Sequence, residues 1–439
     1  MQSEALDRIV GDFRSVAPQL PGGGHRWVER ARREALDGFA SRGFPTVRDE
    51  DWKYTNVASI QRRALPPAIA AGAISAERVR ALAFPDVPCH RLVFVDGRFD
   101  PTFSATGPLP AGVCIRSLSE VIATGAECLE PLLAGVPENG FAALNLAFMT
   151  DGVVIELDRN AVVERPIHLL YIATLPERSI YYRNFILADE NAQATVVEHY
   201  VGPEASTYLT NAVTTIVGGA SSHVEHYKLQ QESAKAFHVA GIHASQARAS
   251  RFTSYSIALG GAIARNDITS RLGAEGAECT LNGLYMVGGR QIVDHHTRID
   301  HAKPRGTSRE FYRGVLDGTA RGVFNGKVIV HPDAQKTDAE QSNHNLLLSK
   351  AAEVDTKPQL EIFADDVRCT HGATVGQLDE SMIFYLRSRG IEPEVARALL
   401  IYAFAHDIVG RIGLVPLKRR VERHLISVLP QGERIKELL

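Results

Sequence analysis

Val197-Glu-His-Tyr200 returns as Val224-Glu-His-Tyr227, and tyrosines continue at 255, 285 and 312. The intervals are 27, 28, 30 and 27 residues. A period of this length suits a solenoid in which every turn adds strands to continuous parallel sheets. A two-sheet sandwich shows turn signals every ~8–12 residues without a longer repeat. Around the repeat, short β-rich runs alternate with Gly, Asp and Asn turns: Leu92–Val95, Val153–Leu157, Leu169–Ile172, Ala194–Val197 and Lys327–Val330. No amphipathic helices are interleaved with them, which argues against a dinucleotide-binding α/β domain. The expected fold is mainly β, a solenoid core flanked by helices at both ends. Glu198, His199, Glu225 and His226 repeat with the period, so outward charged pairs on stacked rungs are their expected role.

The flanks follow from helical periodicity. In Trp27–Phe39, the apolar residues Trp27, Val28, Ala31, Ala35 and Phe39 recur at helical spacing and leave Arg30, Arg33 and Glu34 for solvent. A second short helix is expected near 76–83. After Asp379 the chain turns helical again. Asp379 is placed as an N-cap, Leu378 and Ile383 as a hydrophobic staple, and Gly390 as the residue past the helix end. Pro393 starts a second helix that is apolar on much of its surface: Val395, Leu399, Leu400, Ala403, Phe404 and Ile408. A third, from about Leu417, mixes Leu417, Val421, Leu425 and Val428 with Lys418, Arg419, Arg420 and Arg423. The expected division is a helical region over 1–88, the β core over 89–378 and a helical domain over 379–439.

Chemistry concentrates in the run Gln359–Asp379. Cys369 and His371 stand two residues apart in a strand-like segment, so their side chains share one face. Thiolate sulfur and imidazole nitrogen suit iron and zinc. A closed structural metal site takes four ligands, and this pair supplies two. The other reading is a packed thiol beside an ordinary histidine.

Ala364-Asp-Asp-Val-Arg-Cys-Thr-His-Gly-Ala-Thr-Val-Gly376 and Phe384-Tyr-Leu-Arg-Ser-Arg-Gly-Ile391 resemble the SufD family of iron–sulfur cluster assembly proteins. So do the run from Gly326 to Leu348, Asp294-His-His-Thr-Arg-Ile-Asp-His301 and Glu50-Asp-Trp-Lys-Tyr-Thr55. The resemblance runs over nearly the whole chain. The sister family, SufB, shares the C-terminal half of the pattern but differs around the Cys369–His371 run and at the N-terminus.

The resemblance implies a right-handed parallel β-helix and a non-ATPase scaffold rather than an enzyme. It implies pairing with a SufB-type sister, with His371 at the contact helping a cysteine of that sister hold nascent iron or sulfide. Cys369 is a secondary candidate. It also implies docking of a SufC-type ABC ATPase on the C-terminal helices, for which Phe384, Tyr385, Arg387, Val395, Leu399 and Phe404 are candidates. The transient cargo is iron and sulfide or a nascent cluster at the sister interface, with no cofactor tightly held by the isolated chain. Alone, the chain is expected to pair with itself as a homodimer.

Two rival readings remain. The chain could be a structural adaptor that only holds sister and ATPase together. It could be a metal-dependent β-helix enzyme using His295, His296 and His301, of which His295 and His301 share strand parity. For those histidines a sheet face or subunit contact is the favoured role. For His331, His344 and the polar run between them, a structural role is favoured as well.

Composition excludes several classes. Lys and Arg total 48 against 51 Asp and Glu, a net charge of −3, without the basic excess of a nucleic-acid binder. No run reaches the ~18 consecutive apolar residues a membrane span needs. Glu4, Asp7 and Asp12 in the first twenty residues are foreign to an ordinary secretory signal. Five cysteines, at 89, 114, 128, 279 and 369, form no C-x-x-C pair. They suit a reducing cytoplasm and are too dispersed to hold a four-thiolate cluster locally. Gly22-Gly-Gly24 and Gly288-Gly289 lack the Lys-Ser/Thr of a nucleotide-binding P-loop, so ATP hydrolysis is not expected of this chain.

Overall fold

The computed structural model describes residues 2–84, 88–125, 127–135, 137 and 139–438. From Val153 onward the chain winds as a parallel β-solenoid of about eight turns. Each turn gives one strand to each of two sheets, which have ten and nine strands among the described residues. Along the ten-stranded sheet the ladder reads Gln193↔His223↔Arg251↔Glu278↔Thr307↔Asp338↔Arg368, a turn of 27 to 31 residues. The period anticipated from the tyrosines is therefore right in length.

Its register is not that of the tyrosines. Val197 lies beside Tyr227, three residues away from the sequence match with Val224. An odd shift sends side chains to the opposite face. Tyr200, Tyr285 and Tyr312 accordingly point into the solenoid, in the same cluster as Val196, Val224 and Phe252. Tyr227 and Tyr255 are in register with each other and point outward, stacked 4.7 Å apart under the C-terminal helices.

The expectation of outward charged pairs fails for the same reason. Glu198 and His226 face inward and meet, Nε2 to Oε1, at 3.3 Å, both buried. Tyr200 donates to Glu198 at 2.8 Å, and Thr214 donates to the same carboxylate. Burial alone would raise the Glu198 carboxyl, but these partners hold it down to about 2. His199 faces outward yet is buried in a stack with His168 and Phe84. Glu225 is the partly exposed one, and accepts from Tyr227 at 2.6 Å.

Helices cover both outer faces. Helices Gln2–Val16, Arg26–Arg42 and Gly140–Phe148 pack on the nine-stranded sheet against Tyr181, Phe185, Leu209 and Phe237. Val28, Ala31, Ala35 and Phe39 are buried as their spacing requires. Arg32 is buried with them, donating to the carbonyls of Ala147 at 2.7 Å and Met149 at 2.9 Å, and burial lowers it to about 9. The helices between Leu118 and Phe148 lie inside the stretch read from sequence as β core. Ser117 and Asn139 cap two of them.

Helices Pro393–Val409 and Val415–Val428 cover the ten-stranded sheet, and helix Glu380–Ser388 packs on the first of them. Asp379 accepts from the Ser381 amide at 2.8 Å, Ile383 is buried, and Gly390 takes the positive φ of 85° that ends helix Glu380–Ser388. No helix of the described residues is long and apolar enough to cross a membrane.

The two ends of the solenoid differ. The first turns are closed by antiparallel strands, Arg98–Phe99 on His90–Val95 and Val113–Ser117 on Val153–Leu157. The last two strands, Glu353–Ile362 and Arg368–Gly376, bond to a neighbour on one side only.

Candidate functional site

Cys369 and His371 sit on that last strand. The ladder places Ala339 beside Cys369 and Gln341 beside His371. Paired residues of a parallel ladder share a face, so both side chains extend the interior columns of the solenoid past its last complete turn. Cys369 is half-buried against Ala339, Ala364 and Leu360, and burial raises its thiol. His371 is exposed, and a Cβ built at the next residue, Gly372, meets nothing within 4 Å. Asp366, just before the strand, is ion-paired with Lys336. The shared face read from sequence is thus present, with His371 exposed on the last strand of its sheet among the described residues.

The three other histidines are not brought together. His295 and His301 both face inward but are six residues apart on one strand, ~20 Å at the usual rise. His296 faces the opposite side. His295 is buried against Tyr285 at 5.3 Å, and burial, helped by Lys228, lowers it to about 3. His301 accepts or donates at Ser308 Oγ, 2.9 Å, and burial lowers it to about 4. Among the described residues no group of three or more His, Cys, Asp or Glu could hold a metal.

His296 belongs to a different arrangement. Its Nε2 lies 3.1 Å from Asp294, which also accepts from Arg265 at 2.7 Å and from Thr55. The Arg265 guanidinium stacks 3.8 Å over Trp52 and donates to the Asp51 carbonyl at 2.7 Å. Burial would raise Asp294, but Arg265 and His296 hold it well below the usual carboxylate range. The Asp51–Thr55 run and the Asp294–His301 run therefore meet, and their contact clamps the N-terminal segment to the outer sheet. Glu50 extends the clamp to Lys357 on the edge strand, at 3.0 Å. Sequence reasoning missed this node, since neither run carries a local sign of the other.

Two family models match the chain: the SufBD protein N-terminal region over residues 13–169, and the SufBD core domain of the SUF system for FeS cluster assembly over 171–404. The iron–sulfur cluster assembly protein SufD of Escherichia coli is 35% identical over 407 residues, covering 92% of this chain and 93% of the relative. An iron–sulfur cluster assembly SufBD family protein of Synechocystis is 34% identical over 406 residues, 89% of each. SufD of Bacillus subtilis is 28% identical over 301 residues, 67% of each.

The chain belongs to the SufBD family.

In this SufBD protein the candidate docking residues divide by exposure. Phe384 is 70% exposed and Tyr385 53%, with Met382 beside them in the same helix at 49%. Arg387 is exposed at the end of that helix. Val395 is buried within the helical domain. Leu399 is half-buried in a shallow groove with Leu386, Leu400, Ala403 and His406. Phe404 is half-buried beneath Arg313, at 5.0 Å. The helix Pro393–Val409, apolar nearly all round, buries one side on the solenoid and leaves the other in this groove.

Proposed function

We propose that this SufBD protein is a SufD-type, non-ATPase scaffold subunit of a cytoplasmic SufBCD-type assembly complex. Its bare last turn would pair with a SufB-type sister, and in the sister's absence with a second copy of the chain. The observation that carries this reading is the open end itself. The last strand of each sheet has one free edge among the described residues, with Ile362, Phe363 and Val375 exposed at 42%, 61% and 47%. Unprotected edges of this kind are templates for pairing with another sheet.

The reading gives His371 and Cys369 a place at that contact. His371 offers a ring nitrogen to incoming iron, and Cys369 a sulfur if a metal or a base removes its proton. Two ligands from this chain leave the rest of the coordination shell to the sister, so the chain alone holds no tightly bound cluster. Iron and sulfide are cargo here. The exposed Met382–Phe384–Tyr385 patch and the adjoining groove suit an apolar surface on a SufC-type ABC ATPase, with Arg387 at the rim.

The test is anaerobic co-expression with SufB- and SufC-type partners, purification through this chain, and assay of iron and acid-labile sulfide. The wild-type complex is expected to carry both. A His371→Ala complex is expected to assemble and carry far less. Equal loading of the two complexes reduces the chain to a structural adaptor, and failure to form a complex refutes the reading.

A further inference from the structure

The interior column that ends at His371 changes character along the solenoid. In register it reads Leu281, Glu310, Gln341, His371. Leu281 is buried in the apolar core. Glu310 is fully buried, and Gln341 donates from Nε2 to Glu310 Oε2 at 2.5 Å. Space for that amide is provided by Gly326 on the facing sheet: a Cβ there would stand 2.1 Å from Gln341 Nε2. The NH2 of Gln341 is therefore committed to the carboxylate behind it. Its Oε1 is buried and has no hydrogen-bond partner among the described residues. A buried carbonyl without a donor is uncommon and calls for a partner. The next side chain of the column, one strand spacing or ~4.8 Å on, is His371.

We propose that Gln341, its amide oriented by Glu310 and housed by Gly326, is the positioning residue for His371. A turn of the exposed His371 side chain would bring its ring N–H to the unpartnered Gln341 Oε1, which leaves the other ring nitrogen free to face the open end. A metal-binding histidine commonly donates its second nitrogen in this way, which fixes the tautomer and raises ligand basicity. The inference rests on the reading of His371 as a ligand. The hydrogen bond can be tested without that reading.

The experiment takes the full chain with ¹⁵N-labelled histidine at pH 8 and compares ring-nitrogen spectra of wild type, Gln341→Leu and Gly326→Ala. His371→Ala assigns the signal. A single His371 tautomer in wild type, giving way to a mixture in either folded variant, supports the proposal. Gly326→Ala serves if Gln341→Leu does not fold, because it displaces the amide without removing it. An unchanged tautomer in both variants overturns it. In the anaerobic complex with SufB- and SufC-type partners, Gln341→Leu is expected to weaken iron retention by about 10-fold or more. Wild-type loading by His371→Ala would overturn the ligand role of His371 while leaving the tautomer result standing, so the two failures are told apart.

Discussion

The middle turns of the solenoid and its last turn share one backbone ladder, and side chains in the same column meet opposite fates. Cys279 and Cys369 stand in one interior column, joined in register through Ser308 and Ala339. Cys279 is sealed, 1% exposed, and burial pushes its thiol up to about 12. Cys369 has a rung on one side only and stays half-exposed. Strand Glu278–Val287 is buried or half-buried at nearly every position, whereas Arg368–Gly376 is exposed at nearly every position. The neighbouring column turns polar toward the open end, from Leu281 through Glu310 and Gln341 to His371. At that column the last turn presents a polar group, while Ile362, Phe363 and Val375 leave apolar surface beside it. A terminal rung of ordinary apolar residues would make the same edge an aggregation site.

If this contrast is right, the sealed region should carry the stability and the open end should carry almost none. The largest effect is expected at the clamp. Arg265→Ala leaves Asp294 buried and without its strongest partner, and should cost about 3–5 kcal/mol in denaturant unfolding. A loss below about 1 kcal/mol would show that the N-terminal segment is held by something else.

Next comes the pH response of the interior. Burial raises Glu310 from 4.5 to about 7 against the smaller opposing pull of Thr297 and Gln341. The folded state then holds a proton that the unfolded chain has lost. Its contribution is fully present below pH 4.5 and declines as pH rises to about 7, by roughly 3 kcal/mol. Unfolding curves across that window should flatten in Glu310→Gln; equal slopes in the two proteins would mean the carboxyl is hydrated.

Asp379→Ala removes the cap that starts the C-terminal helices and should cost about 1 kcal/mol. Because the cap lies between the solenoid and the proposed docking patch, co-purification of the ATPase partner should be weakened along with it. The smallest stability effects belong to the exposed residues. His371→Ala and Phe384→Asp should each change unfolding free energy by no more than ~0.5 kcal/mol. Their expected losses are in cluster loading and in ATPase capture, respectively. A cooperative destabilisation by either would place it in the core and break the contrast.

Much of this was legible in the sequence. The caps Asp379 and Gly390, the buried stripe Val28–Ala31–Ala35–Phe39 and the turn length near 28 residues depend on neighbours within a few positions or on a repeat. The common face of Cys369 and His371 follows from strand parity alone. The clamp was hidden because Thr55 and Asp294 are 239 residues apart, and neither run is unusual by itself. Arg32 was hidden because two of the carbonyls that hold its buried guanidinium, those of Ala147 and Met149, come from a helix and its end more than a hundred residues away.

The sequence by itself determined that strands would stack at this period, that Asp379 would cap a helix which Gly390 ends, and that one thiol and one imidazole would share a face. Tertiary structure decided the register, and with it which glutamates and tyrosines are inside, because a shift of three residues reverses the face while leaving the period nearly unchanged. It also decided that the last turn is bare. Whether a strand has a neighbour on both sides depends on what the rest of the chain covers, and no local pattern in 368–376 records that.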